Sequence, residues 1–291
     1  MARLRIPSVY YIPPKVWIWR KDRIEIIKKY FSKILCVFPF EEEFFKNEGV
    51  SQAKYVGNPI LEELPFSMTR SQARQNMNLA SNDLVFTIMP GSRPAEMWNH
   101  SLPLLRAVKL AEKELSKRHM IHAQRKLKIL VPIVNGMENF FSGFDFSGSS
   151  LIEIKLLQHN AHKCLIASDA ALVKSGTSTL EAALLGCPYT LFYKPSWMTA
   201  CIFQYFLKYK GPVGLVNILL GKKNSEDYAV KEILGSEVNA KNLSYEIVQL
   251  LVNSEKQNEL KKSFLQVMDL LKTKEPPSQL AAHEIFDLVM H

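Results

Sequence analysis

An α/β fold built on a parallel sheet is predicted by three features of the 291-residue chain. From Leu84 onward, short runs rich in Val, Ile and Leu alternate with segments of helical spacing, a rhythm that buries strands between helices. Two of these strands, residues 84–89 and 170–174, lead directly into turns of small residues followed by a helix. In open α/β sheets, such strand ends are where ligands bind. Composition agrees: 47% hydrophobic and 22% charged residues supply cores for about two domains and exclude collagen-like, disordered and coiled-coil chains.

The elements follow in order. Residues 6–12 (Ile-Pro-Ser-Val-Tyr-Tyr-Ile) read as a strand of β-branched and aromatic residues, stopped by Pro13-Pro14. Residues 21–31 have helical spacing (Ile24, Ile27, Tyr30, Phe31), and residues 33–38 form a second short apolar strand. An acidic-aromatic segment, 41–47, precedes Tyr55-Val56-Gly57-Asn58-Pro59. These pieces read as the latter part of a doubly wound domain. The polar segment 67–83 marks a boundary, giving an amino-terminal remnant, 1–66, and a complete domain, 67–291. In the latter, strands are expected at 84–89, 127–134, 151–157, 170–174 and 189–193. Helices are expected at 94–118, with an early break near Ser101-Leu102-Pro103, and at 161–167, 179–185, 241–271 and 279–290.

Charge and cysteine usage narrow the setting. The 37 Lys and Arg against 28 Asp and Glu leave a formal charge of +9, which favours an anionic partner: nucleic acid, acidic lipid or a phosphorylated substrate. Cys36, Cys164, Cys187 and Cys201 form no Cys-x-x-Cys pair and read as reduced, buried residues. The first residues lack a signal peptide's apolar stretch, and no run approaches the roughly 18 apolar residues of a membrane span. A soluble or surface-attached protein is expected.

Two turns have the chemistry to hold phosphate. Pro90-Gly91-Ser92-Arg93 joins a strand to a helix: a glycine lets backbone approach a phosphate, the helix start presents unpaired amides, and Arg93 adds a planar cationic fork. An ordinary surface turn fits the tetrapeptide equally well. The second turn is Lys174-Ser175-Gly176-Thr177-Ser178-Thr179-Leu180-Glu181. Its structural reading is a capping box of Ser178 and Glu181. Its functional reading places phosphate over the Ser175 to Thr177 amides and gives Glu181 to ribose hydroxyls. Two such turns in one sheet suit a nucleotide diphosphate held across strand ends. A Walker loop, Gly-x-Gly-x-x-Gly and Gly-x-Ser-x-Gly are all absent, so ATP hydrolysis, NAD binding and serine hydrolase chemistry fall away. The histidines show no metal-ligand spacing, and capping or surface roles suit His159 and His162. Asn217, a polar residue within Gly214-Leu215-Val216-Asn217-Ile218-Leu219-Leu220, is open to ligand binding or to stapling a loop. The apolar stretch 196–207, followed by Lys208 and Lys210, is open to core packing or to membrane contact.

Taken in order, several segments resemble the lipid-A-disaccharide synthase family, glycosyltransferases of the GT-B fold. They are residues 11–20 with Trp17-x-Trp19-Arg20, Phe38-Pro39-Phe40-Glu41, Tyr55-Val56-Gly57-Asn58-Pro59, Pro90-Gly91-Ser92-Arg93-x-x-Glu96, Val131-Pro132-x-Val134-Asn135, residues 167–173, Ser175-Gly176-Thr177-x-Thr179-Leu180-Glu181 and Leu215-Val216-Asn217-Ile218-Leu219. Each is weak alone; eight in order are specific. The resemblance implies a GT-B-like chain with one complete Rossmann-like domain, which binds the UDP-sugar, and the remnant of a second on the acceptor side. It implies inverting transfer of a diacylglucosamine from UDP to diacylglucosamine 1-phosphate, forming a β-1′,6 bond without metal or cofactor and without nucleic acid. Ser92, Arg93, Ser175, Gly176, Thr177, Glu181 and Asn217 then bind substrate.

The resemblance also implies a peripheral site on the inner face of a bacterial inner membrane, held by anionic lipid. The family's general base corresponds to a region upstream of Met1, so a partial or split chain is expected, with a second copy or a companion supplying the rest. Within the chain, Glu41 and Glu96 are the first carboxylates to consider as bases. The sequence departs from the family at Pro13, which replaces a serine, and in Leu215-Val216-Asn217-Ile218-Leu219. Two other functions stay in view: a non-catalytic UDP-sugar-binding subunit, and another UDP-GlcNAc-using GT-B enzyme of the lipid II synthase or 2-epimerase type. The Trp17-x-Trp19-Arg20 segment argues against the latter.

Overall fold

The computed structural model describes residues 6–16, 22–142, 149–195 and 211–290. The Trp17-x-Trp19-Arg20 segment, the apolar stretch 196–207 and Cys201 fall outside these. The chain divides into two compact units, residues 1–64 with 268–291, and residues 65–267.

The first unit is built on three parallel strands in the order β1 (Val9–Tyr11), β2 (Lys33–Cys36), β3 (Ala53–Tyr55). Strand periodicity sorts β2: Ile34 and Cys36 join a cluster with Val16, Ile24, Ile27, Phe45, Val50 and Ala53, whereas Leu35 packs with Val56 and Ala281. Helix α1 (Arg23–Tyr30) buries Ile24 and Ile27, one turn apart. Helix α2 (Pro39–Asn47) begins on Pro39, whose missing N–H costs nothing there. The buried Glu41 carboxylate accepts hydrogen bonds from the Val37 and Phe38 amides, both at 3.1 Å. A short helix α3 (Ile60–Glu63) ends the amino-terminal part.

The C-terminal helix Pro277–Met290 belongs with this unit, whereas the sequence suggested the second domain. Ala281 and Leu280 pack beside Leu35 and Val56, and Glu284 pairs with Lys33 and Lys54. Contacts between residues more than 220 positions apart in the chain leave no local signature.

The second unit contains α4 (Arg70–Asn76), β4 (Leu84–Met89), α5 (Pro94–Lys117), β5 (Leu127–Ile133), α6 (Asn139–Ser142), β6 (Ile152–Gln158), α7 (Ala161–Ala167), β7 (Ala170–Lys174), α8 (Ser178–Leu184), β8 (Tyr189–Tyr193), α9 (Leu215–Leu219), β9 (Glu232–Leu234), α10 (Ala240–Val252) and α11 (Ser254–Leu271), the last crossing into the first unit at Met268. Its strands are parallel, in the order β6-β5-β4-β7-β8-β9. Central β4 is buried at every position, as expected of a strand covered on both faces. Helix α5 packs on α10, and α4 packs on α7. Thr87 is accommodated inside β4 because its hydroxyl meets Ser168 Oγ at 2.7 Å and the Cys164 carbonyl at 3.1 Å. Cys36, Cys164 and Cys187 are free and buried, and burial pushes the Cys164 and Cys187 thiols up to about 12.

Two local expectations are corrected. Helix α5 runs unbroken through Pro103, because Met97, His100, Leu104, Leu105, Val108, Ala111 and Leu115 keep one buried stripe across it. Residues 241–271 form two helices, divided at Asn253, whose side chain accepts from the Lys256 amide at 2.9 Å. Strand β9 completes the sheet by pairing with β8.

Candidate functional site

The site begins with topology. Strands β4 and β7 are neighbours in register from Phe86↔Ala170 to Met89↔Val173, so their carboxyl ends stop side by side. Chain order reverses here: β5 and β6 lie on one side, β8 and β9 on the other. Helices leaving in opposite senses open a crevice at such a point. The two small-residue turns read from the sequence line a cavity of about 490 Å³ there, a volume suited to a small ligand.

The first turn follows β4. Arg93 is the N-cap residue of α5 and Pro94 its first helical position. Gly91 has φ of 121°, which favours glycine, and a Cβ there would lie 2.4 Å from Glu96 Oε2, so the Glu96 carboxylate would have to move to admit one. Glu96 folds back over it. One carboxylate oxygen accepts from the Ser92 amide at 3.2 Å, and the other accepts from Lys174 Nζ at 2.7 Å. Burial alone would push Glu96 up, but the Lys174 hydrogen bond and charge, the Ser92 amide and the Arg93 charge hold it below the usual carboxylate range.

Below the turn, fully buried His100 meets the Pro90 carbonyl through Nδ1 at 2.8 Å, and its Nε2 lies 3.3 Å from both the carbonyl oxygen and the amide nitrogen of Lys194. Burial lowers its pKa, which favours the neutral imidazole.

The second turn follows β7. Ser175 donates its amide to the Phe192 carbonyl at 2.9 Å, and Thr179 Oγ1 donates to the Gly176 carbonyl at 2.7 Å. The Gly176, Thr177 and Ser178 amides find no acceptor among the described residues. Gly176 also has nothing within 4 Å of the place a Cβ would occupy. The turn therefore offers three donors and open space, the requirements for an anion at a loop-to-helix junction.

The structure thus brings Ser92, Arg93, Ser175, Gly176 and Thr177 to one cavity, with Glu96, Lys174, His159 and Asn160 also on its wall. Glu181 is not on that wall. It stands one turn down α8, where its carboxylate meets His162 Nε2 at 3.1 Å. The Ser178–Glu181 capping box is not formed: Thr177 is the N-cap residue, without a side-chain cap, and Glu181 is engaged by His162. Asn217 is fully buried and takes the stapling role. Its Nδ2 donates to the Val230 carbonyl at 2.8 Å and to Glu232 Oε1 at 2.9 Å, and its Oδ1 accepts the Val230 amide at 3.0 Å.

Sequence reading missed the link from Glu96 to Lys174 and the support from His100. The partners are 78 and 94 residues apart in the chain, so only the adjacency of β4 and β7, and of α5 and the end of β8, reveals them.

A doubly wound sheet with its cavity at the reversal of strand order defines the class as Rossmann-like α/β, and the solved structures it resembles in fold are of the GT-B type. UDP-GlcNAc 2-epimerase from Neisseria meningitidis, solved bound to UDP-GlcNAc, superposes with a TM-score of 0.53 at 14% identity, over 92% of this chain and 70% of that one. That likeness is one of fold. Membership is more specific. Residues 2–286 match the family described as lipid-A-disaccharide synthetase. Lipid-A-disaccharide synthase of Francisella tularensis subsp. novicida U112 is 31% identical over 261 residues, 89% of this chain and 65% of the relative. That of Myxococcus xanthus DK1622 is 33% identical over 248 residues, 85% of this chain and 60% of the relative. The chain belongs to the lipid-A-disaccharide synthase family. It spans 60–65% of the length of these curated relatives.

Proposed function

We propose that this chain carries the donor-nucleotide part of a lipid-A-disaccharide synthase. It binds a UDP-linked diacylglucosamine, and the sugar passes with inversion to diacylglucosamine 1-phosphate, forming a β-1′,6 bond and releasing UDP. The observation that carries this reading is the convergence of Arg93 and the Gly176 to Ser178 amides, which have no acceptor among the described residues, on one cavity at the β4/β7 reversal, in a chain of this family. Negative charge grows on the departing diphosphate as the glycosidic bond breaks. Fixed cationic and N–H groups aimed at it stabilise the transition state more than the ground state. Arg93 and the second turn hold diphosphate on this reading, with Ser92 on the same wall and Glu181 toward ribose. Asn217 supports the fold behind the site.

The acceptor hydroxyl needs a base. Glu41 is buried and accepts two amides, and Glu96 is bonded through both oxygens, so neither is assigned that task. The second reading, a UDP-sugar-binding subunit that performs no chemistry by itself, would be removed by disaccharide formation by the purified chain. Attachment to an anionic membrane surface is part of the proposal. It is supported by the charge of +9 and by the lipid substrates of the reaction; among the described residues no helix is long and apolar enough to cross a membrane. Salt-sensitive flotation with anionic vesicles is the matching assay.

The central test is calorimetry with UDP. Arg93→Ala is expected to weaken binding by about 1.5–3 kcal/mol, roughly 10- to 150-fold in Kd. Unchanged affinity in a folded Arg93→Ala protein would overturn the site assignment.

A further inference from the structure

An anion-binding cavity with an ionised carboxylate in its wall poses an electrostatic problem. Glu96 is such a group: it lines the cavity, and its side chain is only 14% exposed. Removed from water, its charge would repel a diphosphate unless something cancels it. Lys174, 18% exposed and on the same wall, donates to it at 2.7 Å. The same ammonium lies 5.3 Å from the centre of the Tyr193 ring at the end of β8, which fixes its direction further.

The geometry of the pair is as telling as its charge. Glu96 sits in the first turn of α5 and Lys174 ends β7, so the contact crosses between the elements that carry the two turns. Glu96 simultaneously accepts the Ser92 amide and occupies the space that a side chain at Gly91 would need. Each partner therefore has a residue of a turn as its neighbour: Ser92 and Arg93 on one side, Ser175 on the other.

We propose that Glu96 and Lys174 are positioning residues which brace the two turns into one anion-binding site, Lys174 acting as the counter-ion of Glu96 and not as a phosphate ligand. This rests on the diphosphate reading of the cavity. The brace sets the separation of the turns and keeps the wall electrically neutral, leaving Arg93 and the Gly176 to Ser178 amides to meet the ligand.

A double-mutant cycle on the full chain tests it, with UDP as the probe. Lys174→Met leaves Glu96 uncompensated and is expected to weaken UDP by about tenfold. Glu96→Gln keeps an oxygen for the Ser92 amide and removes the charge, so its loss is smaller. In the Glu96→Gln background, Lys174→Met should then cost at least about fivefold less than in the wild type. Lys174→Arg, which preserves the pair, should bind nearly as the wild type does. An equal loss from Lys174→Met in both backgrounds would mean that the lysine touches the ligand itself, and would overturn the proposal. Melting of the same four proteins without ligand reads the brace independently of UDP. Coupled thermal shifts in a chain that does not bind UDP would condemn the diphosphate reading and retain the brace; additive shifts would condemn the brace.

Discussion

The two turns at the strand ends look alike as sequence, each with a glycine among small polar residues, yet their glycines serve opposite purposes. Gly91 is a glycine because the protein fills the space above it: its φ is 121°, and Glu96 lies where a Cβ would be. Gly176 has no left-handed backbone and nothing within 4 Å of its missing Cβ. One glycine lets the protein approach itself; the other leaves a surface open to something else. The first turn is thus built and braced, and the second is presented. A motif of small residues predicts close approach without saying what approaches.

Substitutions sharpen this contrast, beginning with the largest effect. Gly91→Ala is expected to cost about 1–3 kcal/mol in backbone strain alone and to displace Glu96 as well. It should lower both the melting temperature and UDP affinity, and a wild-type melting temperature would refute the closed reading of the first turn. Asn217→Ala comes next. It leaves the buried Val230 amide and carbonyl without their partner, costing about 1–3 kcal/mol of unfolding free energy measured in urea, with UDP affinity unchanged. A selective loss of affinity there would return Asn217 to the ligand site.

Gly176→Ala should leave stability within about 0.5 kcal/mol, since the new methyl meets nothing, while reducing UDP affinity in calorimetry. If UDP binds that variant as well as the wild type, the second turn does not lie against the diphosphate. The smallest effect is one of pH. Glu96 titrates below its ordinary 4.5 in the folded protein because Lys174, the Ser92 amide and Arg93 outweigh its burial. A depressed carboxylate contributes stability that is complete above the ordinary value and is lost as pH falls through the folded one. Melting curves of the wild type and Glu96→Gln should therefore run parallel from pH 8 to about 5 and draw together as pH falls below the ordinary carboxylate value.

Much of this protein was legible from local pattern. The extents of β4, α7 and β7 follow from alternating apolar runs and their breakers, and both turns follow from small residues placed between a strand and a helix. Other features were not. Pro103 reads as a helix break, yet the buried stripe of α5 carries the helix through it. Glu181 after Ser178 reads as a cap, yet His162, on α7, takes the carboxylate. Asn217 in an apolar run reads equally as ligand contact or staple, and only the position of Val230 and Glu232 decides for the staple.

What the sequence alone determined is most of the strands and helices, the parallel α/β class, the two turns and the family, because periodicity, turn chemistry and motif order are local properties written along the chain. Tertiary structure decided which elements became neighbours. It set β4 beside β7 so that two turns 80-odd residues apart share one cavity. It placed the C-terminal helix with the amino-terminal strands and joined Glu96 to Lys174. The reason is physical: burial and charge pairing act through space, and a side chain's partner is set by the packing of whole elements rather than by its neighbours in sequence.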